Sequence, residues 1–180
     1  MDWTEDVERK LSRKNQILFS TDCSFLQELS AALPGCGHRT LVLWALELAE
    51  EDVRILEAAY PQDSRPRGAL AAAWMWASGT IKMRTAQRAI LDCHAMAKEL
   101  SSLEHIALCH AVGQACGVVH TPGHAMGLPI YELTALVRRD GLAHCREAVE
   151  LRRQTYLDRL VYWQAHTPQA GITWAPFLCR

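Results

Sequence analysis

The chain has 180 residues, enough for one domain that buries roughly two thirds of its unfolded surface, and 49% of them are apolar. Nineteen basic residues against twenty acidic ones leave a net charge of −1, without the basic stripe that binds phosphates, so nucleic acid is not an expected partner. The acidic start, Met1-Asp2-Trp3-Thr4-Glu5-Asp6, does not read as a signal peptide. The longest apolar run, about Gly68 to Ala77, is short of the ~20 residues a membrane-spanning helix requires, so no membrane partner and a cytoplasmic location are expected.

Residues 1–38 carry weak helical patterning and read as an N-terminal helical extension that ends at the break Pro34-Gly35-Cys36-Gly37. Leu41, Trp44, Leu48, Ile55 and Ala59 then mark a helix. Tyr60-Pro61-Gln62-Asp63-Ser64-Arg65-Pro66-Arg67 is a stiff loop, with Pro66 suited to the first turn of the next helix. Ala69, Ala71, Ala72 and Ala73 give that helix a thin wall, and Gly79-Thr80 closes it. Met83, Ala86, Ile90, Cys93, Ala97 and Leu100 step by three and four into a single buried stripe. Ser101 or Ser102 can cap a helix carrying Ile106, Cys109, Gly113 and Cys116. Thr121-Pro122 reads as an N-cap and first helical position, so His120 would end one helix and His124 would fall in the first turn of the next, which stops at Asp140-Gly141. Leu142, Cys145, Val149, Tyr156, Leu160 and Trp163 mark a long last helix. Pro168, Trp174, Pro176, Phe177 and Leu178 give the tail an apolar character that favours docking on the helical body.

No segment alternates as a strand, so the expected fold is all-α, a single-domain helical bundle of about seven helices with short connections. The chain divides into 1–38, a helical core 39–140, and 141–180 with the long helix and docked apolar tail. Arg138-Arg139 and Arg152-Arg153 read as solvated helix surface. The seven cysteines are odd in number and lack a Cys-x-x-Cys, as free thiols packed like small hydrophobes would be. Gly113 and Gly117 lie four apart, as do Gly123 and Gly127; in helices such glycines favour close packing of neighbouring helices.

Five of the eight histidines, His94, His105, His110, His120 and His124, fall within about thirty residues, and imidazole both binds metal and titrates near neutral pH. His120 and His124 have the i, i+4 spacing of a zinc pair, but Pro122 separates them and no Glu stands between as a base, so hydrogen-bonded histidines are the expected state and no metal or cofactor is assigned. Asp63, Arg65 and Arg67 are either an anion-binding fork or a capped, ion-paired loop; the second is favoured. Trp76 and Trp74 cannot share a helix face, so one of them lies near the surface or under the tail, and exposed Trp suits a partner contact. No nucleophile elbow or phosphate loop occurs, and no catalytic residue is assigned.

Leu43-Trp44-Ala45, the Tyr60-Pro61-x-Asp63-x-Arg65-Pro66-Arg67 loop, Trp76-x-x-Gly79, the helix from Arg88 to His94-Ala95, and Gly113 through His120-x-x-x-His124-Ala125 to Tyr131 occur in an order and spacing that resembles the helical immunity proteins of bacterial polymorphic toxin systems, the Imm-5-like group. The resemblance spans about Leu41 to Arg139. It implies an all-α bacterial cytoplasmic protein without enzymatic activity that neutralises a cognate toxin domain by binding it, with Asp63, Arg65, Arg67, Trp76, His94, His120, His124 and Tyr131 as candidate binding residues. Gln114 stands where the group often has His, which weakens any metal role. The alternative is a small helical enzyme or metal-binding protein built on a His-rich polar pocket. A helical scaffold or homo-oligomer is a third possibility.

Overall fold

A three-four repeat of apolar residues places one greasy stripe on each helix, and a chain of such helices must stack them inward. The computed structural model describes residues 2–179, so Met1 and Arg180, the ends of the first and last expected spans, lie outside the described residues. Eight α-helices and no strand occur among them: α1 Trp3–Ser12, α2 Gln27–Ala32, α3 His38–Ala59, α4 Arg65–Ala77, α5 Met83–Met96, α6 Leu103–Gly117, α7 Gly127–Asp140 and α8 Arg146–His166. The fold is all-α, with one continuous hydrophobic core. No helix among the described residues is long and apolar enough to cross a membrane.

The punctuation explains most of the boundaries. Asp2 accepts from the Thr4 amide at the start of α1, and the Ser102 hydroxyl accepts from the His105 amide at the start of α6. Gly141 turns the chain out of α7 with φ +74°. The start of α7 departs from expectation. The Thr121 hydroxyl is engaged by the His120 ring at 2.7 Å and caps nothing. Pro122–Met126 forms a 3-10 turn instead, and α7 begins only at Gly127, so His124 lies in that turn.

Helix α6 is the axis of the molecule, packed on α3, α4, α5 and α7 and buried on nearly every side. Its expected stripe understates this, because Ala107, Leu108, Ala111, Val112 and Ala115 are buried as well. In α5 the opposite holds: Ala86, Cys93 and Met96 are buried, whereas Met83 is exposed.

Trp3, Phe19 and Phe25 pack ring against ring in the N-terminal segment, and the Leu18 amide donates to the Thr134 hydroxyl of α7. At the other end the Ala175 amide donates to the Ala77 carbonyl, Leu178 is buried, and the Phe177 ring lies 5.8 Å from Trp76. Arg152 corrects the reading of Arg152-Arg153 as solvated surface. Its side chain is only 13% exposed and is ion-paired to the buried Glu132. Arg153 is partly buried too, donating to the Phe25 carbonyl and to Glu28.

Candidate functional site

Helix α4 delivers Trp76, α5 delivers Met83, Ile90, Leu91 and His94, α6 delivers Gly113, Gln114 and Gly117, and the segment after α6 delivers His120 and His124; together they line a cleft of about 460 Å³. Four of the eight candidate binding residues, Trp76, His94, His120 and His124, thus meet in one place. A fifth, Tyr131, stands directly behind it on α7.

The histidines of the cleft are each bonded to a neighbouring side chain, while Gln87 of α5 also lines it. His94 Nδ1 and His110 Nδ1 lie 2.9 Å apart, so one ring donates its proton to the other. His110 in turn packs on Tyr131, with ring centroids 5.1 Å apart. Two imidazoles in that position cannot both be charged. Burial, then the neighbouring His110 and His124, push His94 down to about 4, and burial lowers His110 also. His124 Nδ1 donates to Gln114 Oε1 at 2.8 Å, and His120 lies stacked on Trp76 with ring centroids 5.7 Å apart.

Three glycines make this arrangement possible, and they correct the expectation that they serve helix–helix packing. A Cβ on Gly113 would stand 2.3 Å from His94 Nε2, and one on Gly127 would stand 2.4 Å from Gln114 Oε1. A Cβ on Gly117 would stand 3.2 Å from the His124 ring. The space that a methyl group would fill is occupied by polar side chains of the cleft. A helix-interior glycine is less stable than alanine by about 1 kcal/mol, so α6 accepts weaker backbone propensity at Gly113 to keep the His94 ring where it is.

No group of three or more His, Cys, Asp or Glu side chains is gathered to hold a metal ion among the described residues. The imidazoles share a cleft, yet their Nδ1 atoms face one another, a glutamine and a threonine.

Asp63, Arg65 and Arg67 lie elsewhere, in a structural ion-pair network. Asp63 accepts from the Arg65 amide and its guanidinium, and Arg65 reaches on to Glu99. Arg67 bridges Glu50 and Glu57 and so ties α4 to α3. The Arg65 and Arg67 guanidinium groups hold Asp63, Glu57 and Glu99 below the usual carboxylate range.

A second polar cluster was not anticipated. Asp52 of α3, Glu132 of α7, and Arg152 and Tyr156 of α8 converge beside a cleft of about 450 Å³. Glu132 pairs with Arg152 and accepts from the Tyr156 hydroxyl at 2.8 Å, while the Trp44 indole donates to the Tyr156 carbonyl. Burial and the adjacent Glu132 raise Asp52 well above the usual carboxylate range, and burial raises Glu132 also. A signal for this cluster existed: Asp52 falls four after Leu48 and three before Ile55, on the apolar stripe of α3, and Arg152 falls between Val149 and Tyr156 in the same way.

The fold is thus an all-α domain with a preformed cleft on its surface that no Lys, Arg, Asp or Glu lines. The family model described as "Imm-5 like putative immunity protein" matches residues 35–159, which include every residue that lines the histidine cleft. The chain belongs to this family. No curated protein and no solved structure matches it.

Proposed function

We propose that this chain is a bacterial cytoplasmic immunity protein that neutralises a cognate toxin domain by binding it, and that the face carrying Trp76, His94, His120 and His124 makes the contact. The family match over residues 35–159 carries this reading. The geometry supports it: the cleft has apolar walls that continue onto exposed Met83 and Leu91, and a near-neutral chain recognises by shape and apolar fit more than by charge steering. The protein acts without catalysis, cofactor, nucleic acid or membrane. A complex of standard size would bury roughly 1,600 Å² in total, far more than the cleft alone, so Tyr131 behind the cleft and the tail over Trp76 act as its support. The Asp63–Arg65–Arg67 loop holds the bundle together and lies outside the contact.

The test is co-expression with the toxin domain encoded beside the gene, together with calorimetry on the purified pair. Restored growth and a stable one-to-one complex are expected. A chain that neither binds nor protects ends the proposal.

A further inference from the structure

We infer that the histidine cleft is a socket for one uncharged aromatic side chain of the partner, a Trp or Tyr, whose N–H or O–H is donated to His124 Nε2. The inference rests on the immunity reading and names the chemistry of the residue recognised.

Hydrogen-bond polarity comes first. Gln114 Oε1 can only accept, so His124 Nδ1 carries the proton of the 2.8 Å bond between them. In the neutral ring that leaves Nε2 as a bare acceptor on a residue that lines the cleft. His94 and His110 bond to each other through their Nδ1 atoms, and the Nε2 edge of His94 is turned onto Gly113 of α6. The floor comes next. Gly113 and Gly117 lie about one helical turn apart on α6, and the His94 and His124 rings occupy the space their side chains would fill, so the floor is two imidazoles seated on helix backbone. One wall is the Trp76 indole stacked on His120, and the other is Ile90, Leu91 and the thioether of Met83, surfaces that favour a ring. No Lys, Arg, Asp or Glu lines the cleft, so a charged side chain would lose its hydration there without a counter-charge. Its volume of about 460 Å³ is small among ligand sites. Met83 is 44% and Leu91 58% exposed, which extends the apolar surface outward around the mouth, as the surroundings of an interface anchor do.

The experiment titrates indole and 1-methylindole into methyl-labelled protein at pH 7 and follows Met83 and the His124 ring by NMR. Indole is expected to bind with Kd on the order of 1 mM and to shift both. 1-Methylindole, which has no donor, is expected to bind about fivefold more weakly. His124→Phe keeps a ring over Gly117 and should abolish the difference between the two probes. Leu91→Glu, at an exposed position that cannot unfold the core, should abolish binding of both and weaken the toxin complex at least tenfold. Equal affinity of the two probes for the wild type, or no shift at Met83, overturns the inference, and so does a toxin complex indifferent to Leu91→Glu. Micromolar binding of free indole would also overturn it, since the cleft would then be a small-molecule site. If indole binds as expected and the wild-type chain fails to bind the toxin, the immunity reading falls and the chemistry of the cleft stands.

Discussion

Replacing Gly113 with Ala should destabilise this protein, although the same change in an ordinary helix stabilises. Two effects compete. Alanine raises helix propensity by about 1 kcal/mol. Its Cβ, however, would stand 2.3 Å from His94 Nε2, 2.4 Å from Cε1 and 2.8 Å from Cδ2, so the ring must leave. Departure breaks the bond to His110 and leaves a half-buried nitrogen unpaired, at about 1–3 kcal/mol, and forces a poorer rotamer at about 1 kcal/mol. The net loss is about 1–3 kcal/mol, a fall of ~0.5–1.5 M in the urea midpoint if m is about 2 kcal/mol/M. Gly68→Ala in α4 is the control. Nothing lies within 4 Å of its Cβ, so it should stabilise by up to about 1 kcal/mol. Adding His94→Ala to Gly113→Ala should cost less than the two single changes summed, because the ring that clashes is gone. A Gly113→Ala protein as stable as the Gly68→Ala control, or strict additivity with His94→Ala, would refute the packing of His94 on the α6 backbone.

Three further outcomes follow from the polar pairs. Arg152→Met leaves Glu132 and Asp52 buried without their cation and should lower stability by about 3 kcal/mol at pH 7 in urea melts. With Arg152 absent the folded-state pKa of Glu132 rises further above its unfolded value, so this deficit should shrink as pH falls from 7 to 5; a deficit independent of pH would contradict the cluster. Tyr156→Phe removes a donor to buried Glu132 and should lower stability by about 1–2 kcal/mol, with a neutral result counting against that bond. The His94 ring, held down to about 4 in the fold, should remain neutral at pH 5.5 by NMR, where an ordinary histidine is mostly charged. Since its folded pKa lies below its unfolded one, the unfolded chain takes up the proton first, and His94 should withdraw stability as pH falls from about 6.5 towards 4. A His94 midpoint near 6.5 would remove the desolvated pair from consideration.

Local patterning was enough to determine the helices. Three-four spacing, Pro66 in the first turn of α4, the Ser102 cap and the Gly141 stop act within a few residues, so they are written in the chain and appear in the structure where the spacing puts them. Spacing misplaced the start of α7, where Thr121 found a better partner in His120, and it ran α6 on to His120 and began α8 at Leu142, where the structure stops α6 at Gly117 and starts α8 at Arg146. The free-standing motif residues were legible as types and not as places. Asp63 and Arg65 pair locally, as their spacing allows, whereas the bonds from Arg65 to Glu99 and from Arg67 to Glu50 and Glu57 depend on how the helices pack.

What the tertiary structure alone decided is which polar groups face each other across helices. His94 and His110 are 16 residues apart and share a proton; Asp52, Glu132 and Arg152 come from three different helices and share a charge balance. Gly113 gave no hint that its missing methyl group makes room for an imidazole of the preceding helix. Periodicity reports only whether a side chain points inward. It says nothing about what it meets there, because that depends on the rotation and depth of the neighbouring helix, and those are fixed by the packing of the whole core at once.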